Sequence, residues 1–417
     1  MNHRITAIFA TAAALALSAG AAFADDQAPA PAAPAPAAAP AAAPAAAAAP
    51  APPAPPSLMP SMTAPLAQNA TPMSVDLGPL GSKVYITGAV SGLAFGESNH
   101  VPVNGKQSGT ADLSNAQIFI NKVDGDFQYF IDVGAYSLPT LGVPYTKATT
   151  VTSNSFDVMP LAYVKYAPSA LPGFSIQAGK LPTLIGDEYM FTIENSNIER
   201  GLIWNVEPLV SRGVQVNYTQ GPVTVNVAWT DGYYSNDYNT ISGALTYVIN
   251  PTDTVIVQGE GPTSKSSKTG LSGPLFNNTT LYDVIWTHTM GPWSFTPYFQ
   301  YTTTPAYIAS GTTQDTTTWA AALLGTYTFD SKSMLAGVSL PARFEYISQN
   351  SGSGVGSVLF GPGSSAYSFT LTPTYTFGKY FVRGEVSYVD ITHGSAFGDD
   401  GSKQDQVRGM LELGVLF

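Results

Sequence analysis

The sequence predicts an all-β chain: a transmembrane antiparallel β-barrel of about sixteen strands, an even number, behind a disordered Ala/Pro-rich N-terminal tether. Three observations predict it. Apolar and polar residues alternate with period two in segment after segment from Lys83 to the C-terminus, as in a strand with two unlike faces. Charged residues are only 11% of the chain, under half the usual share of roughly 25%, while no apolar run after the N-terminus reaches the ~18 residues of a membrane helix. The chain also holds 22 Tyr, 20 Phe and 39 Gly, which suit strands and turns.

The last element shows the pattern most cleanly. Val407, Gly409, Leu411, Leu413, Val415 and Phe417 share one face, apolar apart from the glycine. Gln406, Arg408 and Glu412 lie on the other, with Met410, Gly414 and Leu416. A soluble β-sandwich could end in such a strand. The aromatic C-terminal residue resembles the last strand of bacterial outer-membrane barrels, and that resemblance makes Phe417 an assembly signal read by the barrel assembly machinery.

At the other end, residues 1–24 read as a secretory signal. His3 and Arg4 precede an apolar core, Ile5 to Ala19, and Ala22, Phe23 and Ala24 form a cleavage site before Asp25. Residues 25–80 are the tether, a periplasmic linker. Proline this frequent prevents a continuous helix, and nothing there can bury a core. Contact with the cell wall is one expected use. Residues 81–417 form the barrel.

The strands follow in order. Val84, Ile86, Gly88 and Val90 begin the series, and Phe127, Tyr129, Ile131 and Val133 turn Gln128 and Asp132 the other way. The stretch Leu161 to Ala167 alternates less cleanly around Lys165. Val214, Val216 and Tyr218 alternate with Gln215 and Asn217, turn at Gly221 and Pro222, and continue as Val223 to Trp229 around Thr224 and Asn226, a hairpin signature. Ile241 to Ile249, Val255 and Val257, and the pair Tyr282 and Val284 around Asp283 come next. Trp293 to Tyr301, Trp319 to Phe329, and Ala342 to Tyr346 around Arg343 and Glu345 follow. Tyr367 to Tyr375 and Tyr380 to Tyr388, around Arg383 and Glu385, lead to the terminal strand. About sixteen segments in roughly 335 residues leave about 21 residues for each strand and its connection. A spanning strand needs ~9–11 of them. Aromatic residues near the ends of the apolar faces suit two interfacial girdles. By parity the lumen wall carries Asp132, Lys165, Asp283, Arg343, Glu345, Arg383, Glu385, Arg408 and Glu412.

One stretch, Lys180 to Arg212, does not alternate. It carries Asp187, Glu188, Glu194, Glu199, Arg200, Glu207 and Arg212 among Leu184, Ile185, Tyr189, Phe191, Ile193, Leu202, Ile203 and Trp204. A long irregular segment between strands is usually functional or disordered, and this one is too apolar to dangle. It reads as a constriction folded into the barrel, with an external loop packed on its neighbours as the alternative. Five acids against Lys180, Arg200 and Arg212 suggest a weak cation preference.

The run Phe174 to Lys180 (FSIQAGK), then Gly186 to Glu188, Glu194 to Asn197 (ENSN), Ser211 to Val216 (SRGVQV) and Trp229 to Asn236 (WTDGYYSN) resemble the β-barrel porin-2 family, also called OmpL-like. The chain departs from it in having Ser211-Arg212-Gly213-Val214-Gln215 where members show a Thr-Gly-Val-Arg strand. The resemblance implies a diffusion channel in the outer membrane of a Gram-negative bacterium.

The remaining classes fit poorly. The net charge of −11 argues against a nucleic-acid partner, and the absence of Cys removes disulfides and thiolate metal sites. No metal or cofactor is expected. Outside the signal, His100, His288 and His393 have no evident Ser partner, and HExxH, GxSxG and P-loop patterns are missing, so an enzyme is not expected. Expected partners are outer-membrane lipid and lipopolysaccharide, small hydrophilic solutes, and two further copies in a homotrimer. A structural barrel that anchors the envelope through its tether, with no open pore, is the competing reading.

Overall fold

The structure is a computed structural model and describes residues 66, 71–78, 83–101, 108–268, 276–350 and 360–417. The expected signal, residues 1–24, and most of the expected tether, residues 25–80, lie outside the described residues. A short strand, β1 (Met73–Asp76), leads into the barrel. The barrel strands are β2 (Lys83–Glu97), β3 (Gly109–Lys122), β4 (Phe127–Tyr136), β5 (Ala162–Tyr166), β6 (Phe174–Pro182), β7 (Val210–Gln220), β8 (Val223–Thr230), β9 (Thr240–Asn250) and β10 (Asp253–Pro262). They continue as β11 (Thr280–Met290), β12 (Trp293–Thr304), β13 (Thr316–Thr328), β14 (Val338–Gln349), β15 (Ser365–Leu371), β16 (Thr374–Phe377), β17 (Tyr380–His393) and β18 (Asp405–Leu416).

Neighbouring strands pair antiparallel in chain order, with β15 and β16 sharing one place, and β18 returns to β2, so the sheet closes as a sixteen-stranded barrel. β15 and β16 are two halves of one strand, since both pair with β14 and with β17. The break falls at Thr372 and Pro373, where proline has no N–H to give the ladder. Closure satisfies every strand edge, which a sheet in lipid must do. At the seam, Phe417 exchanges two backbone hydrogen bonds with Gly88, at 2.8 and 2.9 Å. The Phe417 ring lies where a Cβ on Gly88 would stand, so only glycine admits it. Beyond Phe417, β1 takes over the same edge of β2, with Met73 opposite Ile86 and Asp76 opposite Lys83.

Parity sets the two faces. Val214, Val216, Val225, Val227, Leu323, Phe344, Phe369, Leu411 and Leu413 are exposed on the outside, while Gln215, Asp283, Arg343, Glu345, Arg383 and Glu412 are buried within. This inverts a soluble protein and suits lipid outside with polar groups inside. Two-residue turns join β7 to β8 and β11 to β12 at one end. Long connections such as 137–161 and 183–209 lie at the other. Exposed aromatics collect at both ends. Trp293 stacks on Phe295, and Tyr375 on Phe377, near the short turns; Trp229 meets Tyr238 and Trp319 meets Tyr346 near the long loops.

Candidate functional site

Residues 183–209 leave β6 and cross the inside of the barrel before joining β7. Their apolar side chains account for this: Ile185, Phe191, Ile193, Ile198, Leu202 and Ile203 are at most 1% exposed. Phe191 and Ile193 pack with Phe119, Phe130 and Phe381 on the wall, and Leu202 and Ile203 pack with Ile285, Tyr298 and Ile347. The connection 137–161, with its helix α1 (Ala148–Asn154), runs beside them. Leu141 N–H donates to the Arg200 carbonyl, and Arg200 N–H donates to the Pro139 carbonyl, at 3.0 and 3.1 Å.

An irregular backbone inside a barrel leaves N–H and C=O groups without a ladder, and these must find partners. The wall charges supply them. Glu345 accepts from Leu202 N–H (3.0 Å) and Ile203 N–H (3.2 Å), from Ser368 Oγ and from Arg343 Nε. Glu385 accepts from Ile198 N–H (2.6 Å), Glu199 N–H (2.9 Å) and Thr372 Oγ1. Arg343 pairs with Glu188 and donates to the Glu199 carbonyl at 2.8 Å. Arg383 pairs with Glu412 and donates to the carbonyls of Asn195 (2.8 Å) and Thr192 (2.9 Å). Arg408 pairs with Glu199 and Glu97 and reaches the carbonyls of Thr140 and Val143, both at 3.1 Å. Charge-assisted bonds of this kind are the strong ones. Gly201 lies so close to the Glu345 carboxylate that a Cβ there would collide with it.

The other charged positions have separate roles. Glu194 accepts from Phe191 N–H at 3.1 Å, within its own segment, and Glu207 accepts from the Tyr298 hydroxyl. Asp283 accepts from Gly186 N–H (3.1 Å), and Asp132, fully buried, accepts from Gln117 Nε2 (2.8 Å). Arg212 is not in the constriction: it stands on β7 with the outward parity of Val214 and Val216, opposite Lys180 on β6, where it pairs with Asp231 and lies 4.0 Å from the Tyr234 ring centroid. Arg200 is fully buried, 5.3 Å from the Trp204 ring centroid. Burial lowers its guanidinium to about 10 against the pull of Glu188. Lys165 and Asp187 differ from all of these: neither has a bonded partner among the described residues.

Both line open space. A cavity of about 690 Å3 lies against β5 to β10, walled by Gln177, Gln215, Asn217, Asn226 and Gln258 together with Lys165 and Asp187. A smaller cavity of about 180 Å3 lies against β11 to β13 and the stretch 187–197, and Asp187 borders it too. Burial, with Glu188 adjoining, pushes the Asp187 carboxyl up to about 7. No amide of this wall stands out in the sequence as a site residue. Their signal was present, since Gln215, Asn217 and Asn226 alternate with outward valines, but uncharged side chains stand out less than charged ones. The docking role of the 137–161 connection had no comparable signal.

A family model matches residues 83–417, which is the whole barrel. The chain belongs to the Putative beta-barrel porin-2, OmpL-like family. The match begins at the first residue of β2 and leaves β1 outside it. No curated protein matches the chain. Among solved structures, this porin-2 member shares its fold with an anion-selective porin from Comamonas acidovorans (TM-score 0.55, 10% identity, covering 80% of this chain and 99% of that one). The outer membrane channel DcaP of Acinetobacter baumannii is similar (TM-score 0.54, 11% identity, 82% and 99% covered). So is Salmonella typhi OmpF (TM-score 0.52, 12% identity, 83% and 100% covered).

Proposed function

We propose that the chain is an outer-membrane porin of a Gram-negative bacterium through which small hydrophilic solutes and ions diffuse passively, with the crossing part of residues 180–212, residues 183–209, as the constriction. One observation carries the reading: a segment crosses the interior of a closed barrel and still leaves cavities of about 690 and 180 Å3 that meet at Asp187. The family and the fold shared with known channels support it. Most constriction charges are already bonded, so selectivity rests on Asp187 and Lys165. The acidic chain, net −11, tips it toward weak cation preference. Salt screening over ~10 Å at 0.1 M keeps the preference weak. Insertion through the barrel assembly machinery, with Phe417 as the signal, and assembly as a homotrimer belong to the same reading.

A second reading has its own observation. The side of the interior from β14 round to β2 is filled by the apolar packing of Leu202 and Ile203 and by the Arg–Glu pairs, as in a barrel that anchors and does not conduct. Single-channel recording of the purified barrel in a planar bilayer separates the two. Stepwise ohmic currents are expected, and silent insertion of folded barrel would overturn the porin reading.

A further inference from the structure

The larger cavity is walled by amides that neighbour one another across strands. Gln177 stands opposite Gln215, Asn217 opposite Asn226, and Ala244, the neighbour of Asn226, opposite Gln258. They hold each other in place. The Asn217 Oδ1 accepts from Gln215 Nε2 at 2.6 Å and from Asn226 Nδ2 at 2.7 Å, and Asn217 Nδ2 donates to Ser175 Oγ at 3.2 Å. Gln215 and Asn226 each spend their amino group on these bonds, and Asn217 spends both ends. Gln215 Oε1, Asn226 Oδ1 and the whole Gln177 amide have no bonded partner among the described residues, and the Gln258 amino group donates to none of them. Gln177 and Gln258 are nonetheless only 9% exposed, and Gln215 6%. These groups border the cavity, so their remaining donors and acceptors are turned to whatever occupies it. Tyr163, Phe174 and Tyr189 border the same space.

We infer that this amide wall is a binding site for a neutral polyhydroxylated solute, of the size of a short oligosaccharide, met on the way through the pore. A hydroxyl both donates and accepts, as an amide does, so one face of fixed amides satisfies a row of hydroxyls without a charge on either side. The C–H face of a sugar ring is apolar and suits the aromatic rings. The volume lies within the roughly 300–1,000 Å3 of small-molecule sites. A charged solute would find Lys165 and Asp187 as the free charges on this wall, since the Arg–Glu pairs on the opposite side are closed among themselves.

The inference names the substrate class of the proposed porin and rests on that reading, so its test separates the two. Maltotriose is added to the full barrel in a planar bilayer, and the ion current is followed against sugar concentration. A saturable block is expected. Asn217→Ala and, independently, Gln177→Leu should each raise the half-blocking concentration about tenfold, loss of one or two hydrogen bonds. Val216→Ala, on the lipid face of the same strand, should block like wild type. Heat-modifiable migration identifies variants that fold. A block that grows linearly with concentration, matches that of polyethylene glycol of equal size, or is unchanged in both folded amide variants overturns the inference. Silent insertion instead overturns the porin reading. Equilibrium dialysis of labelled maltotriose with the detergent-solubilised barrel then decides this one, with saturable binding supporting it and none refuting it.

Discussion

The two sides of the barrel wall follow one rule of parity and serve different ends. From β14 round to β2, inward positions carry Arg343, Glu345, Arg383, Glu385, Arg408 and Glu412, each bonded to the crossing segment, to its neighbouring loop or to another wall charge. From β5 to β10, inward positions carry Gln177, Gln215, Asn217, Asn226 and Gln258, and open space lies beside them. The difference teaches what an inward charge is for in this barrel. Charge gathers where irregular backbone must be held, because carboxylates and guanidinium groups bind stray N–H and C=O groups most strongly. Where the wall borders open space, the inward positions are mostly uncharged, amides prominent among them, with Lys165 the exception on β5.

Variants can break or sharpen that contrast. The largest expected effect lies at the seam, where both sides depend on closure. Deleting Phe417, or Phe417→Asp, should reduce heat-modifiable barrel in the outer membrane severalfold, and Gly88→Val should act alike by displacing the ring. Wild-type levels of both variants would refute the role given to that contact. Next comes Arg343→Ala, which strands Glu188 and Glu345 inside the barrel. Breaking a buried pair this way costs about 3–5 kcal/mol. The thermal midpoint should fall and, with the segment loosened, conductance should rise; a variant unchanged in both would mean that apolar packing alone holds the segment.

Asp187 tests the open side. With its carboxyl at about 7, it is neutral in acid and charged above neutrality, so cation preference should grow as pH rises through that value. Reversal potentials in a salt gradient read this directly, and Asp187→Asn should flatten the profile. The sign for stability is opposite. A carboxyl raised from 3.8 to about 7 favours the folded state in acid, and that contribution is lost as pH rises between the two values. The smallest effect is expected from Asn226→Ser, which keeps a polar group beside water. Its thermal midpoint should match wild type, whereas a drop like that of Arg343→Ala would erase the distinction between the two sides.

Much of the fold was legible because strand alternation is written in adjacent residues. Val214, Val216 and Tyr218 declare their common face without reference to any partner. The irregular run from Lys180 to Arg212 announced itself in the same way, by failing to alternate while remaining apolar. Partnerships were not legible. Glu345 meets Leu202 across 143 positions and Glu199 meets Arg408 across 209, and no local pattern encodes such distances. Arg343 and Glu345 do bond to one another, as their spacing on one strand allows, but each also holds backbone that only the folded segment brings to it. The amides escaped notice because Asn and Gln on a polar face look like ordinary strand residues until the space beside them is seen.

The seam has a kinetic consequence. Ser91 donates to Glu412 across 321 positions, and Arg408 donates to Glu97 across 311, so the last strand meets the first through contacts of very high sequence separation. Such contacts form late, because the chain entropy of closing so large a loop must be overcome first. Arg408 and Glu412 are also among the groups that hold Glu199 and Thr192 of the crossing segment. Until β18 docks, that segment lacks two of its anchors. Zipping the cylinder shut and narrowing it should therefore be one cooperative event, with protease protection at the seam and at residues 183–209 appearing at a single rate.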